Sequence, residues 1–243
     1  MIKFFRHIRK SLLMENKTGK YFKYAIGEIF LVVIGILIAL QINNWNENRI
    51  AQNNEKIILL KLIDDLETDS IRIKSQHNRI ISISELHRNL YLIGKGKLPS
   101  GSLQNTEFLR AGTIFDSALR NDPQLTNKIS NSTIRDQLVF YLDRLRFIES
   151  EIDNYKNLLE NRVRPYLAEW NLLDIDSRFE NPEFKEVGIY DDKLIKHLNR
   201  PGFQQLLYEA NVKVRGIEYR YDQLKEANTL LKGLINNELK QNR

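Results

Sequence analysis

Four histidines, His7, His77, His87 and His197, are the side chains best suited to proton transfer or metal ligation in this sequence, and none stands at a productive spacing. His77, His87 and His197 have no second histidine or carboxylate placed as in H-E-x-x-H, where two ligands share one helix face. Each therefore reads as a solvated helix residue rather than a ligand. Glu85 and His87 are two positions apart and face different sides of a helix. The chain has no cysteine, which removes thiolate nucleophiles, thiolate metal sites, disulfides and a lipoprotein signal. No G-x-S-x-G occurs, and no serine has a histidine and an acid in a recognisable pattern. The loop from Gly94 to Ser102 is rich in glycine, but no Gly-Lys-[Ser/Thr] follows at the spacing that cradles a phosphate, so it reads as a turn between helices. Asp64, Asp65, Glu67 and Asp69 form an acidic cluster without the glycine and ligand ladder of a calcium loop. That cluster reads as a solvated helix face with Lys61 and Arg72 in reach. No catalytic residue, cofactor-binding residue or metal ligand is assigned, and no cofactor is expected.

The elements around these residues are predicted to be helical nearly throughout. Ile134, Leu138, Tyr141, Leu145, Ile148, Ile152, Tyr155 and Leu159 alternate spacings of four and three. So do Phe203, Leu207, Ala210, Val214, Ile217, Tyr221, Leu224, Asn228, Leu231 and Ile235. A stripe of period 3.5 over four or more heptads implies long helices packed at shallow angles. A third stripe, Leu59, Leu62, Leu66, Ile73, Ile80, Ile83 and Leu90, is interrupted by Asp69, Gln76 and His87. That pattern predicts a helix less buried than the other two, or packed through a shifted face. Asn131 or Ser132 suits the N-cap of a 132–163 helix. A shorter helix is expected at about 105–120, ahead of the turn at Asn121-Asp122-Pro123. Pro165, Pro182 and Arg200-Pro201-Gly202 mark a less regular region, with short helices at 165–173 and 191–199. The fold class is all-α: one transmembrane helix followed by an elongated antiparallel bundle with coiled-coil-like long helices.

Charge locates the membrane. The 243 residues carry a formal charge of +6. Lys3, Arg6, Arg9, Lys10, Lys17, Lys20 and Lys23 face a single acid, Glu15, within the first 24 residues, so the remainder is neutral. That distribution disfavours nucleic acid as a partner of the domain. Immediately after these cations comes the most apolar stretch, and Tyr24 to Ile42, as a helix, reaches about 28 Å, the thickness of a bilayer core. Tyr21, Phe22 and Tyr24 at one edge and Trp45 at the other suit the two headgroup zones, and the basic flank keeps the N-terminus inside. A cleaved signal peptide is the alternative, since the run Ile29–Leu40 is short enough for an h-region. Against it, the basic segment is long and Leu37 occupies the place where a small-x-small site would need a small residue. Met1, Phe5, Ile8 and Leu12 recur at helical spacing, so residues 1–20 either lie in the anionic headgroup layer or serve only as a basic tail that sets topology. Residues 21–45 are assigned to the span and 46–243 to an extracytoplasmic helical domain. No Pro or Gly interrupts 41–93, so the spanning helix can run on as a rod that would hold the domain at a fixed distance from the bilayer.

Within the span, Gly27, Gly35 and Ala39 share one face with Leu31, which would let two such helices approach closely. Glu28 is an ionisable residue near the cytosolic edge, within reach of headgroups or of Lys20 and Lys23. Trp45 completes the set of anchor and helix-contact residues. The block Met1–Lys10, then Lys17-Thr-Gly-Lys-Tyr21, then Tyr24-Ala-Ile-Gly-Glu-Ile-Phe-Leu-Val-Val-Ile-Gly-Ile-Leu-Ile-Ala-Leu-Gln-Ile-Asn-Asn-Trp-Asn-Glu47 resembles the signature of an uncharacterised family of bacterial single-span membrane proteins. The likeness is close over residues 1–50 and looser at Ile114-Phe-Asp116 and Ile134–Tyr141. It implies an inner-membrane protein with a periplasmic helical domain, draws attention to Gln41, Asn43 and Asn44 beside Gly27, Glu28 and Trp45, and implies no activity. The functional reading is a membrane-anchored helical interaction or sensing module with a protein partner or a second copy of itself. The alternatives are an enzyme assembled from scattered helix residues and, disfavoured, a nucleic-acid binder.

Overall fold

The computed structural model describes residues 18–121, 124–180 and 188–241. Lys3, Arg6, Arg9, Lys10 and Lys17 lie outside the described residues, as do the 1–14 amphipathic face and Pro182. The fold is all-α. Its α-helices are α1 (Thr18–Gly94), α2 (Ser132–Leu158), α3 (Arg164–Glu169), α4 (Ile175–Glu180), α5 (Asp191–Ile195) and α6 (Pro201–Gln241). Among the described residues no strand forms, only an isolated bridge between Leu173 and Ile189. The chain divides into two compact units, Met1–Ile57 and Ile58–Arg243.

In the first unit α1 is apolar on every side and buries none of it. Phe30, Leu31 and Val32 are 66%, 61% and 56% exposed, and as successive residues they point about 100° apart around the helix. An 18-residue window here has a mean hydropathy of 2.5, and α1 is long and apolar enough to cross a membrane. Beyond the apolar stretch the surface turns polar within one turn. Asn43 donates to Glu47 at 2.8 Å, and the Arg49 guanidinium lies 5.4 Å from the Trp45 ring centre.

The second unit is built on three long helices. Asn131 at the N-cap of α2, then Arg144 and Glu151 farther along it, meet Glu238, Gln223 and Arg220 of α6, so these two run antiparallel. Leu66 and His77 of α1, and Lys95 just past its end, meet Asn228, Asp222 and Gln204, again antiparallel. Consequently α1 and α2 run parallel, and the chain between them must return along the bundle. All the apolar stripe residues predicted on the three helices are buried. The Asn131 side chain accepts from the Ile134 N–H and caps α2.

The return segment is where expectation and structure part. Instead of a helix at 105–120, only short 3₁₀ turns form at Thr106–Leu109 and Ala118–Asn121. The backbone between them finds its hydrogen bonds on α1: Arg79 donates to the Gly112 carbonyl at 3.1 Å, and Arg72 donates to that of Asp116. Peptide groups satisfied by neighbouring side chains have no need of a helical ladder. The predicted 132–163 helix is likewise modified. It ends as α-helix at Leu158 and widens into a π turn over Leu159–Val163. Pro165 at the start of α3 lacks the N–H and crowds the carbonyl four residues back, and a wider turn relieves both.

At the far end of α1, Gly94 packs on the α5–α6 turn. A Cβ there would stand 3.0 Å from both Cβ and O of the buried Leu198. Gly94→Ala is therefore expected to destabilise the unit by about 1–3 kcal/mol through overpacking, measurable by urea unfolding of the full chain in detergent micelles. A change below about 0.5 kcal/mol would mean the Leu198 turn yields freely.

Candidate functional site

Three placements carry the chemistry of this chain. The first is the apolar segment of α1. Gly27 and Gly35 have open space around an added Cβ, Ala39 is exposed, and Glu28 is half-buried and has an interaction partner. Lys23 is exposed at the basic end. Trp45 is 64% exposed at the polar end.

The second is a buried polar cluster at Asp69, which is 0% exposed. Its carboxylate accepts from the hydroxyls of Ser117 at 2.5 Å and Tyr141 at 2.8 Å, and from the Ala118 N–H at 2.9 Å. Asn228 hydrogen-bonds the same tyrosine and donates to the Leu66 carbonyl at 2.9 Å. Burial, and then the Asp69 charge, push the Tyr141 hydroxyl well above its ordinary pKa. Two turns along, Thr113 of the return segment donates to Gln76 at 2.8 Å and touches the Tyr221 hydroxyl at 3.4 Å. Burial raises Tyr221 to about 12, against the lowering effect of the Thr113 bond. The α1 stripe is thus not less buried: Asp69 and the half-buried Gln76 find their partners on the return segment and α2, while His87 is buried without one. The acidic run is split accordingly. Asp69 points inward and Glu67 pairs with Lys232 at 3.3 Å, while partial burial, ahead of the opposing Lys61 charge, raises Asp65.

The third is a groove of about 930 Å³ between α1 and α6. One wall is Ser84, Glu85, Arg88 and Tyr91, at helical spacing along α1. The other is Gln204, Tyr208, Asn211, Arg215 and Glu218 along α6, where Arg215 and Glu218 pair at 2.8 Å. His87 belongs to the lining yet is only 2% exposed, and neither ring nitrogen has a hydrogen-bond partner. Desolvation lowers its pKa from 6.5 to about 4, so the ring is neutral at pH 7.

These placements correct the reading of the histidines as solvated. His87 is core. His77 stacks on Tyr221 with ring centres 6.0 Å apart and its Nε2 3.6 Å from Asp222. His197 lies against Trp170, ring centres 5.2 Å apart. His77 and His87 sit beside the apolar stripe of α1, where packed long helices leave little room for solvent, and His197 lies in the turn between α5 and α6. Among the described residues no group of three His, Asp or Glu side chains gathers as a metal site.

Residues 28–97 match the model of DUF6090, a family of unknown function. The matched segment takes in the apolar stretch of α1, Asp69, His87 and the α1 wall of the groove, ending three residues past the helix. It brings no activity with it. No curated protein and no solved structure matches the chain. The groove residues of α6 had only one signal in the sequence, polar side chains flanking the apolar stripe, and every exposed helix face offers that.

Proposed function

We propose that this chain is a membrane-anchored helical interaction or sensing module of the bacterial cell envelope. It crosses the inner membrane once through the apolar part of α1, with the N-terminus in the cytoplasm and residues 46–243 in the periplasm. The observation that carries this is an apolar helix exposed on all sides in its own unit, flanked on the N-terminal side by the whole excess positive charge of the chain. Lys3, Arg6, Arg9, Lys10, Lys17, Lys20 and Lys23 set the orientation and contact anionic headgroups. Gly27, Gly35 and Ala39 form the face through which a second copy, or another single-span helix, packs. The neutral domain binds a protein partner or a small ligand rather than nucleic acid.

Protease added to spheroplasts tests the topology. A C-terminal tag should be digested without lysis, while the intact protein stays in the membrane on alkaline extraction. A tag protected until lysis would reverse the orientation, and release as a product lacking the first 40 or so residues would turn the anchor into a cleaved signal.

A further inference from the structure

We infer that α1 pairs in parallel and in register with α1 of a second copy, through a seven-residue seam that runs from the apolar stretch into the polar part of the helix. Ile29, Ile36, Asn43, Ile50 and Ile57 stand seven residues apart, and the four isoleucines are 65%, 55%, 48% and 65% exposed. Val32, Ala39, Asn46 and Asn53 follow the first four of them by three residues. Together these are the a and d positions of successive heptads, and all belong to the first unit. An α-helix drifts about 20° for every seven residues, so a strict repeat of this length keeps to one line only when two helices wind around each other. The seam therefore fits a helix lying alongside, not a flat surface or a small ligand.

What selects a second copy is the match of this seam to itself. Isoleucine at a favours two parallel strands, and two copies cross one membrane in the same direction. The occupant must offer a helix unbroken from the apolar stretch to residue 57 or beyond, and α1 is such a helix. The polar positions are self-complementary. Asn43 donates its amide N–H to Glu47 at 2.8 Å, which leaves its side-chain oxygen without a partner. Asn46 accepts from Arg49 at 3.2 Å, which leaves its amide N–H groups unpaired. In a two-fold pair with like residues level, Asn43 of each copy can accept from Asn46 of the other, so the bond forms twice by symmetry. Val32 and Ala39 are small enough for close approach inside the bilayer, where packing rather than apolar burial holds helices together. Beyond it, Ile50 and Ile57 rise from a run otherwise made mostly of Asn, Gln, Glu and Lys, and water supplies the driving force. The nine side chains expose on the order of 800 Å² per copy, the size of a standard interface. Gly27 and Gly35 fall off this seam and stay available to another single-span helix.

This pairing rests on the reading of α1 as a membrane anchor. The chain has no cysteine, so single cysteines placed in turn from Asn46 to Ile57 can be oxidised in native membranes. Disulfide-linked dimer is expected to peak at Asn46, Ile50, Asn53 and Ile57, at least about fivefold above Asn48, Gln52 and Glu55 on the far face. Ile50→Asp combined with Ile57→Asp should lower the Asn53→Cys dimer at least about tenfold, whereas Gln52→Asp should leave it unchanged. Both isoleucines are exposed, so the melting of the second unit should stay the same in the double variant. A photo-crosslinker at Ile50 should yield a product of twice the chain mass. A peak on another face, dimers linked only through the face of Gly27 and Gly35, or a photo-product of any other mass would overturn the seam. Alkaline extraction of the same membranes separates the two readings. Chain retained without crosslinks would overturn the seam alone, and chain released from the membrane would overturn anchor and seam together.

Discussion

Replacing Asp69 by alanine is expected to cost the second unit about 3–5 kcal/mol, enough to unfold a marginally stable domain. The carboxylate is fully buried and is the acceptor for Ser117, Ala118 and Tyr141. Its removal strands three donors inside the bundle, each costing about 1–3 kcal/mol when left unpaired, with partial relief from relaxation. Asp69→Asn keeps one acceptor oxygen and should cost less, about 1–2 kcal/mol. The triple change Asp69→Leu, Ser117→Ala, Tyr141→Phe removes the acceptor with its two hydroxyl donors, leaves only the Ala118 N–H unpaired, and should recover part of the loss. Urea unfolding of the full chain in micelles, followed by circular dichroism, measures all three. A cost below about 1 kcal/mol for Asp69→Ala would show that the cluster is solvated in practice and is not the point where the return segment is fastened.

Acid is expected to weaken the protein through His87. Its folded-state pKa of about 4 lies below the ordinary 6.5, so between these values the unfolded chain binds a proton that the folded chain does not. Stability should therefore be complete above pH 6.5 and fall as the pH drops from 6.5 toward 4. The full loss is about 3 kcal/mol, from a shift of roughly 2.5 units at 1.36 kcal/mol each. The charged groups along the same groove, Arg88 and Arg215 against Glu85 and Glu218, cancel and do not reverse the sign. His87→Leu should flatten this segment of the stability profile and add about 1–2 kcal/mol at pH 7 by replacing an unpaired buried ring with an apolar side chain of similar bulk. Unfolding free energies at pH 7, 5.5 and 4 decide the matter. An identical pH slope in both proteins would place the acid sensitivity elsewhere.

Much of this architecture is legible from spacing alone. The stripes of α2 and α6 are set by side chains that either reach the core or do not, and periodicity reports that directly. The same holds for the apolar part of α1, where nearly twenty residues without a polar face leave few places to go. The return segment is different: its conformation is decided by Arg72, Arg79 and Asp69 on a helix more than thirty positions away, and local propensity carries no trace of them. Asp69 and His87 look alike in sequence, each a polar interruption of an apolar stripe. One is saturated with hydrogen bonds and the other has none, and the difference lies in what the rest of the chain brings against them. The groove is the least legible, because it exists only as the space between two helices more than a hundred residues apart.

The pairing of α1 with α6 also fixes the order of events during synthesis. The Leu66 carbonyl waits for Asn228, 162 residues later, and the apolar stripe of α1 waits for Phe203 to Ile235. At about 5–20 residues per second, α1 stands uncovered for roughly ten to thirty seconds before its partner exists. A chain interrupted before Pro201 would keep its apolar anchor and α2, while its first bundle helix lacked the α6 side of its core. Such a fragment remains tethered with its core side outward, open to proteases and to pairing with its neighbours.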